Sequence, residues 1–499
     1  MPRRSGTRRL LVLVATLAAL GGSLPAAAAE ATEPTEPKTE PAPDDRTPAL
    51  SREGRWLVDQ HGRVVLVHGQ NLVWKHDPYV PPDSPEGFTE QDAEWLAEHG
   101  FNGARIGTLW AGVTPEAPGE VDEDYLDDWQ RVIDLLADEG IWMQYDFHQD
   151  MWHETYGGEG VPDWAAKRPA PYNLHPPIKL PFPAGYITPE LATVYDHFFA
   201  NRGGLLDGWA AAWGAVAQRW GDQPYSMGYD LMNEPWSGRE WVTCPLTGCR
   251  STYAKEMQPA YEKALAAIRK SDPDGIGWFE PEVLANQTGK SYFGPVAGED
   301  QVGFSWHSYC PFGYLDSQGI PVGVGQCKSY AATHNQAALD QAEKMNGTSL
   351  LSEFGATDNT ELLTIDTAAA DDSFASWMHW AYKHWGDPTT ADGAQGMFTD
   401  DADLSTVKPD KLRTLVRTYP QATAGTPVDL SFDPDTGAFS YTYEPATDIE
   451  EPTEIFVSPL HYPDGPDIFV DGGKVVGTAD HHRILVEPDG SDQVTVTIK

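Results

Sequence analysis

The chain has 499 residues, enough for one large domain and a smaller one. Its formal net charge is −41, from 34 basic and 75 acidic side chains. That excess disfavours nucleic acid and anionic membrane surfaces as partners and suits solubility outside the cell.

Residues 1–29 read as a secretion signal peptide. Arg3, Arg4, Arg8 and Arg9 precede an apolar core from Leu10 to Leu20, and Ala26 to Ala29 supply small residues for cleavage. The core is too short to span a membrane. Thr7-Arg8-Arg9-Leu10-Leu11 loosely resembles a twin-arginine signal, so the export route stays open. Residues 30–48 repeat Thr-Glu-Pro and Pro-Ala-Pro units and are expected to form an extended linker. The expected location of the mature protein is secreted and extracellular.

From 49 to 422, short apolar runs alternate with amphipathic helical stretches. The runs are Val64–Val67, Gly103–Ile106, Ile141–Phe147, Ser226–Leu231, Ile276–Phe279, Val302–Trp306, Ser349–Leu351 and Trp377–Ala381. Helices are expected at Asp124–Glu139, Leu205–Arg219 and Tyr253–Ile268, with a further one capped at Thr188-Pro189-Glu190. Eight strands alternating with helices predict an α/β fold, a (β/α)8 TIM barrel with its chemistry at the C-terminal strand ends. The segment 151–187, rich in proline and aromatics, is too long for an ordinary connection and is expected to be a lid or a binding wall. From 423 to 499 the pattern turns to period two with turn signals, predicting a small C-terminal β-sandwich. That sandwich is expected to pack on the barrel, with sugar or lipid binding as the alternative.

The cysteines are Cys244, Cys249, Cys310 and Cys327. An even count in an exported chain suggests two disulfides. Of the three pairings, Cys244–Cys249 with Cys310–Cys327 is favoured. Zinc is the competing reading, against which stand the spacings and the oxidising compartment.

Two glutamates end apolar runs: Glu234 in Asn233-Glu234-Pro235 and Glu353 in Ser352-Glu353-Phe354. Two carboxyl groups facing each other about 5 Å apart are what a retaining glycosidase needs, one as acid/base and one as nucleophile. Asn233 is placed to bind a sugar 2-hydroxyl. Tyr309 and Arg105 are expected to hold Glu353 ionised. His148 and Asp150 alternate at one strand end and suit sugar hydroxyls, and Trp380 offers a flat face to a sugar ring. Glu280, in Phe279-Glu280-Pro281, lacks the preceding asparagine and ranks third, as a decoy or a supporting group. A metal held by His148, Asp150 and His153 is the minor alternative; no metal and no cofactor are expected.

These residues resemble glycoside hydrolase family 5, and within it the endoglycoceramidases. The family pattern is met by Asn233-Glu234-Pro235, His307-Ser308-Tyr309, Glu353 and Trp380. The stretch His68 to Tyr79 resembles the subfamily's segment in which a lysine, here Lys75, contacts the sugar. Asp146-Phe147-His148-Gln149-Asp150 resembles its Asp-Met-His-Gln-Asp, whose histidine and second aspartate bind the glucose next to ceramide. Gln70, Phe147 and the 151–187 loop depart from the pattern. The resemblance implies a secreted retaining endo-β-glycosidase that cleaves between oligosaccharide and ceramide in glycosphingolipids. The lipid is expected against the apolar part of the 151–187 loop with Trp74 and Trp110. The protein is expected to be a monomer that touches lipid micelles or membranes transiently and binds no nucleic acid. The alternatives are galactosylceramide-linked glycans, steryl glucosides or β-glucans as substrates, and a non-catalytic glycolipid-binding protein.

Overall fold

The computed structural model describes residues 48–244, 248–313, 323–389 and 393–499. The predicted signal peptide, and the linker up to residue 47, lie outside the described residues.

Chain order starts with three short strands, β1 (Ser51–Glu53), β2 (Trp56–Val58) and β3 (Val64–Val65). The next eight are β4 (His68–Leu72), β5 (Gly103–Gly107), β6 (Trp142–Asp146), β7 (Ser226–Asp230), β8 (Gly277–Phe279), β9 (Val302–Ser308), β10 (Thr348–Gly355) and β11 (Ser376–Trp380). These eight close into a barrel in the order β10-β11-β4-β5-β6-β7-β8-β9. Every pairing in it is parallel. Helices cover the outside, so the strands are buried on both faces and read as apolar runs. Helix starts follow their caps. Asp122 accepts from Tyr125 N–H at the helix Glu123–Asp138, and Thr188 accepts from Leu191 N–H at Pro189–Phe199.

Two irregularities aim the chemistry inward. In β10 the pairing steps from Leu351 opposite Trp306 to Glu353 opposite His307, so Ser352 is an extra residue that sets Glu353 beside His307. In β7 the pairing likewise gains a residue between Ser226 and Tyr229. Gly228 sits there at φ 89°, and a Cβ on it would lie 2.0 Å from the Ile276 carbonyl oxygen, so only glycine fits.

The first barrel strand was expected at Val64–Val67 and instead begins at His68. Val64 and Val65 pair antiparallel with β2 and with β12 (Tyr419–Thr423). They belong to a seven-stranded sheet ordered β1-β2-β3-β12-β15-β18-β17, where β15 is Thr453–Phe456, β17 Gly473–Ala479 and β18 Arg483–Pro488. A four-stranded sheet, β13 (Gly425–Phe432), β14 (Phe439–Pro445), β19 (Val494–Ile498) and β16 (Ile468–Asp471), accompanies it. The sandwich therefore draws on both ends of the described chain and is not confined to 423–499. It shares its core with the barrel. Tyr419 stacks on His68 at 3.6 Å and donates to the Gly100 carbonyl at 2.8 Å, while the buried Arg417 pairs with Asp371.

Both favoured disulfides are present, Cys244–Cys249 and Cys310–Cys327.

Candidate active site

The centre of the barrel mouth is a buried guanidinium. Arg105, on β5, is wholly inaccessible to solvent. Its nitrogens reach Asn71 Oδ1 (3.1 Å), Asp146 Oδ1 (3.1 Å), Asp230 Oδ2 (3.0 Å), Asn233 Oδ1 (3.0 Å), Glu280 Oε2 (3.2 Å) and Glu353 Oε1 (2.7 Å). Burial opposes the Arg105 charge, but the surrounding carboxylates hold its pKa well above the ordinary value. One cation cannot neutralise four carboxyl groups. Burial and the neighbouring negative charges accordingly push Asp230 up to about 7 and Glu280 well above the usual carboxylate range.

Glu234 and Glu353 converge beside this cation. Glu353 accepts from Arg105 through Oε1 and from the Tyr309 hydroxyl through Oε2, at 2.9 Å. Glu234 Oε1 accepts from Asn286 Nδ2 at 2.6 Å and lies 2.8 Å from His307 Nδ1. The same His307 nitrogen lies 3.3 Å from Glu353 Oε2. Carboxyl oxygens of the two glutamates come within 4.8 Å of one another. Burial, then the charge of Asp150, pushes the Glu234 carboxyl up to about 8. Burial pushes His307 down to about 3, so its ring is neutral at physiological pH. Asn233 is locked in place: it accepts from Arg105, and its Nδ2 donates to the Gln149 carbonyl at 3.0 Å.

A second buried cation forms the adjoining wall. Lys75 Nζ donates to Asp150 Oδ2 at 2.6 Å and to Thr389 Oγ1 at 2.9 Å, and lies 3.3 Å from Asp387 Oδ1. His148 binds Asp146 through Nδ1 at 2.8 Å, and its ring stacks on Trp380 at 5.1 Å. Lys75 Nζ sits 4.6 Å from the centre of the Trp380 ring, whose Nε1 donates to Gln395 at 2.8 Å. His153 is not part of this group. Its Nε2 meets Asp163 and its Nδ1 meets Thr155, each at 3.0 Å. Where His148, Asp150 and Glu159 converge, the Lys75 ammonium already supplies the positive charge.

The 151–187 segment packs Trp152, Tyr156 and Tyr186 inward. Trp110, expected to face lipid, is instead core: it is 2 % exposed and packs edge-on against Trp164 at 5.2 Å and Trp152 at 6.2 Å. A bulky apolar ring beneath a long loop gains more from burial there than from facing water. Trp74 is half-buried against Trp385, 5.7 Å away. A cavity of about 450 Å³, lined by Phe312, Tyr330 and His334 among others, adjoins the site. The Tyr330 hydroxyl donates to the Asn286 carbonyl and His334 Nε2 bonds the His307 carbonyl.

Residues 58–390 match the family model described as Cellulase (glycosyl hydrolase family 5). The chain belongs to glycosyl hydrolase family 5. Residues 417–499 match the Glycoside hydrolase family 5 C-terminal domain. Endoglycoceramidase I of Rhodococcus hoagii (strain 103S) is 37% identical over 459 residues, covering 90% of this chain and 88% of that protein. Endoglycoceramidase of Cyanea nozakii is 30% identical over 460 residues, covering 85% and 86%. Among solved structures, endo-glycoceramidase II from Rhodococcus sp. in its ganglioside GM3 complex is 26% identical with a TM-score of 0.71, covering 90% of this chain and 99% of that one. This member of the family is thus an endoglycoceramidase-like glycoside hydrolase.

For this family 5 chain, the structure brings Lys75, Arg105, His148, Asp150, Asn233, Glu234, His307, Tyr309, Glu353 and Trp380 to one end of the barrel. Glu280 is also there: it accepts the Glu234 backbone N–H at 2.7 Å, a supporting role rather than a decoy's. Asn71, Asp230, Asn286, Glu159, Asp387 and Thr389 were missed. Asn71 and Asp230 lie within or beside apolar runs and are legible once the barrel interior is known to be polar. The other four sit in connections that show no periodicity.

Proposed function

We propose that this enzyme hydrolyses the glycosidic bond between oligosaccharide and ceramide with net retention, and that it is secreted. The observation that carries the mechanism is the close approach of Glu234 and Glu353, with oxygens within 4.8 Å, together with their unlike surroundings. Such a separation suits a covalent glycosyl intermediate and leaves too little room for the water an inverting enzyme places between its carboxyl groups. Glu353, gripped by a guanidinium and a phenol, is the nucleophile that attacks the anomeric carbon. Glu234, neutral through burial, protonates the ceramide oxygen and then takes a proton from the attacking water. Its Oε1 is occupied by Asn286 and His307, which leaves Oε2 to carry the transferable proton.

Asn233, His148, Asp150, Lys75, Tyr309 and Trp380 hold the first sugar in this reading. Lipid specificity is supported by the named relatives and by exposed apolar side chains on the segment that follows β6. Leu174 (74 %), Ile178 (59 %) and Ile187 (52 %) stand out on the 151–187 segment. The protein acts as a monomer that meets a micelle or membrane with these side chains.

The test is product analysis on lactosylceramide or ganglioside GM3 in detergent, beside cellotetraose, for wild type and Glu353→Gln. Release of intact oligosaccharide and ceramide by wild type alone is expected, the sugar first appearing as the β-anomer. Cleavage of cellotetraose only would overturn the substrate, and first appearance of the α-anomer would overturn the mechanism.

A further inference from the structure

The sequence Gly157-Gly158-Glu159-Gly160 drives one carboxyl group into the Lys75 wall. Residues 150 and 159 exchange backbone hydrogen bonds at 2.8 and 3.2 Å. A Cβ at Gly158 would lie 1.6 Å from the Asp150 carbonyl oxygen, and one at Gly160 2.4 Å from that of His148. The flanking glycines are therefore what let this segment lie so close. The Glu159 side chain is buried, 1 % exposed, and among the described residues neither of its carboxyl oxygens meets an N–H or O–H donor.

The nearby donors are turned toward other acceptors. Lys75 gives its protons to Asp150 and Thr389 and faces Asp387, and it stays 3.6 Å from Glu159. His148 is bound to Asp146 through Nδ1, and its Nε2 lies 3.5 Å from Asp150 Oδ2. Glu159 must then bring its own proton, and the neighbouring acceptor is Asp150, whose carboxylate is already matched to Lys75.

We propose that Glu159 is a positioning residue: as a neutral acid it donates a hydrogen bond to Asp150 and so fixes the Lys75–Asp150 pair against the first sugar. This rests on the reading that Lys75 and Asp150 contact that sugar. The electrostatics agree. Burial, with the charges of Asp150 and Asp387, raises the Glu159 carboxyl well above its usual range, while Lys75 and His148 hold Asp150 below its own despite burial. The groups around Glu159 are Lys75, Asp150, Asp387 and His148, and a charge on Glu159 also reaches Tyr79. Loss of the Glu159 proton would set three carboxylates around one ammonium. The Lys75–Asp150 pair would loosen, and KM would rise with pH independently of kcat.

The experiment compares wild type, Glu159→Gln and Glu159→Ala on a soluble chromogenic lactoside across pH, with infrared spectra of the carboxyl region. A glutamine still donates to Asp150. Glu159→Gln is expected to keep KM within about twofold at neutral pH and to abolish its alkaline rise. Glu159→Ala is expected to raise KM about tenfold at every pH with little change in kcat. The protonated-carboxyl band at pH 7 should lose one component in Glu159→Gln. Equal KM defects in the two variants, or no change of that band, would overturn the proposal. If wild type turned over no lactoside, the functional reading would fail, and the infrared arm alone would still decide the state of Glu159.

Discussion

The backbone N–H of Glu234 donates to the carboxyl of Glu280, 2.7 Å away across the adjacent ends of β7 and β8. Glu234 sits at φ 40°, a conformation that costs a non-glycine residue about 1–3 kcal/mol and needs an acceptor placed to hold it. Glu280 is that acceptor, and it also meets Arg105. Glu280→Ala leaves the buried Glu234 N–H unpaired and takes one carboxyl group from Arg105, whose same nitrogen keeps Asn233 and Asp146. Stability is expected to fall by about 2–4 kcal/mol in urea unfolding, and kcat by about 100-fold with KM little changed, since the acid moves off its line to the leaving oxygen.

The Glu234 carboxyl, at about 8, sets the pH behaviour of the free enzyme. The acid form is the active one, so kcat/KM should fall as pH rises through about 8, and His307, at about 3, contributes no limb between. This moves the optimum upward from the acidic side on which an ordinary glutamic acid would put it. Stability follows the same sign. The folded-state pKa exceeds the ordinary value, so the folded state binds the extra proton, and stability is lost as pH climbs from about 4.5 to about 8. Glu234→Gln removes that loss. Its melting temperature should gain on wild type steadily over this window and not below it, as read by calorimetry at several pH values.

Tyr309 and Glu353 share one hydrogen bond of 2.9 Å. Tyr309→Phe keeps the ring and removes the donor. Hydrogen bonds to charged groups contribute about 1.5–3 kcal/mol, so kcat/KM should drop about 10- to 100-fold. A burst of released aglycone in rapid-mixing kinetics would show whether glycosylation of Glu353 is the step affected.

How much of this was legible in the sequence follows from where each residue lies. Glu234 lies four residues beyond β7 (Ser226–Asp230), and Glu353 and His307 lie near the C-terminal ends of β10 and β9. Strands buried on both faces leave continuous apolar runs that point toward such residues. The first barrel strand was misplaced for the converse reason. His68-Gly69-Gln70-Asn71-Leu72 is fully buried yet largely polar, because the barrel interior at this end is a hydrogen-bonded network: Asn71 donates to the Ser352 carbonyl, and His379 binds Gln70. The neighbouring Val64-Val65 looks like a core strand but pairs with the chain's other end, a contact no local pattern encodes. Glu159, Asp387 and Thr389 reach the site from loops and Asn286 from the one-turn helix Ala285–Thr288, and their placement exists only after the barrel closes.

The exposed apolar side chains of the 151–187 segment separate interfacial binding from chemistry. Leu174 and Ile178 are exposed, and neither is bonded to the Glu234–Glu353 pair. Burying each in a lipid headgroup region gains roughly 1–3 kcal/mol, by the ordinary transfer scale for a large aliphatic side chain. The double variant Leu174→Ser, Ile178→Ser should therefore lose 10-fold or more in apparent affinity for ganglioside-bearing vesicles, measured by flotation. Its kcat/KM on a soluble lactoside should stay within about twofold of wild type, because the barrel mouth beneath is held by buried Trp152, Tyr156 and Tyr186 rather than by these side chains. Equal losses on both substrates would mean that the segment shapes the sugar site itself. No loss on vesicles would move lipid capture to another surface, for which the cavity beside Asn286 is the next place to substitute.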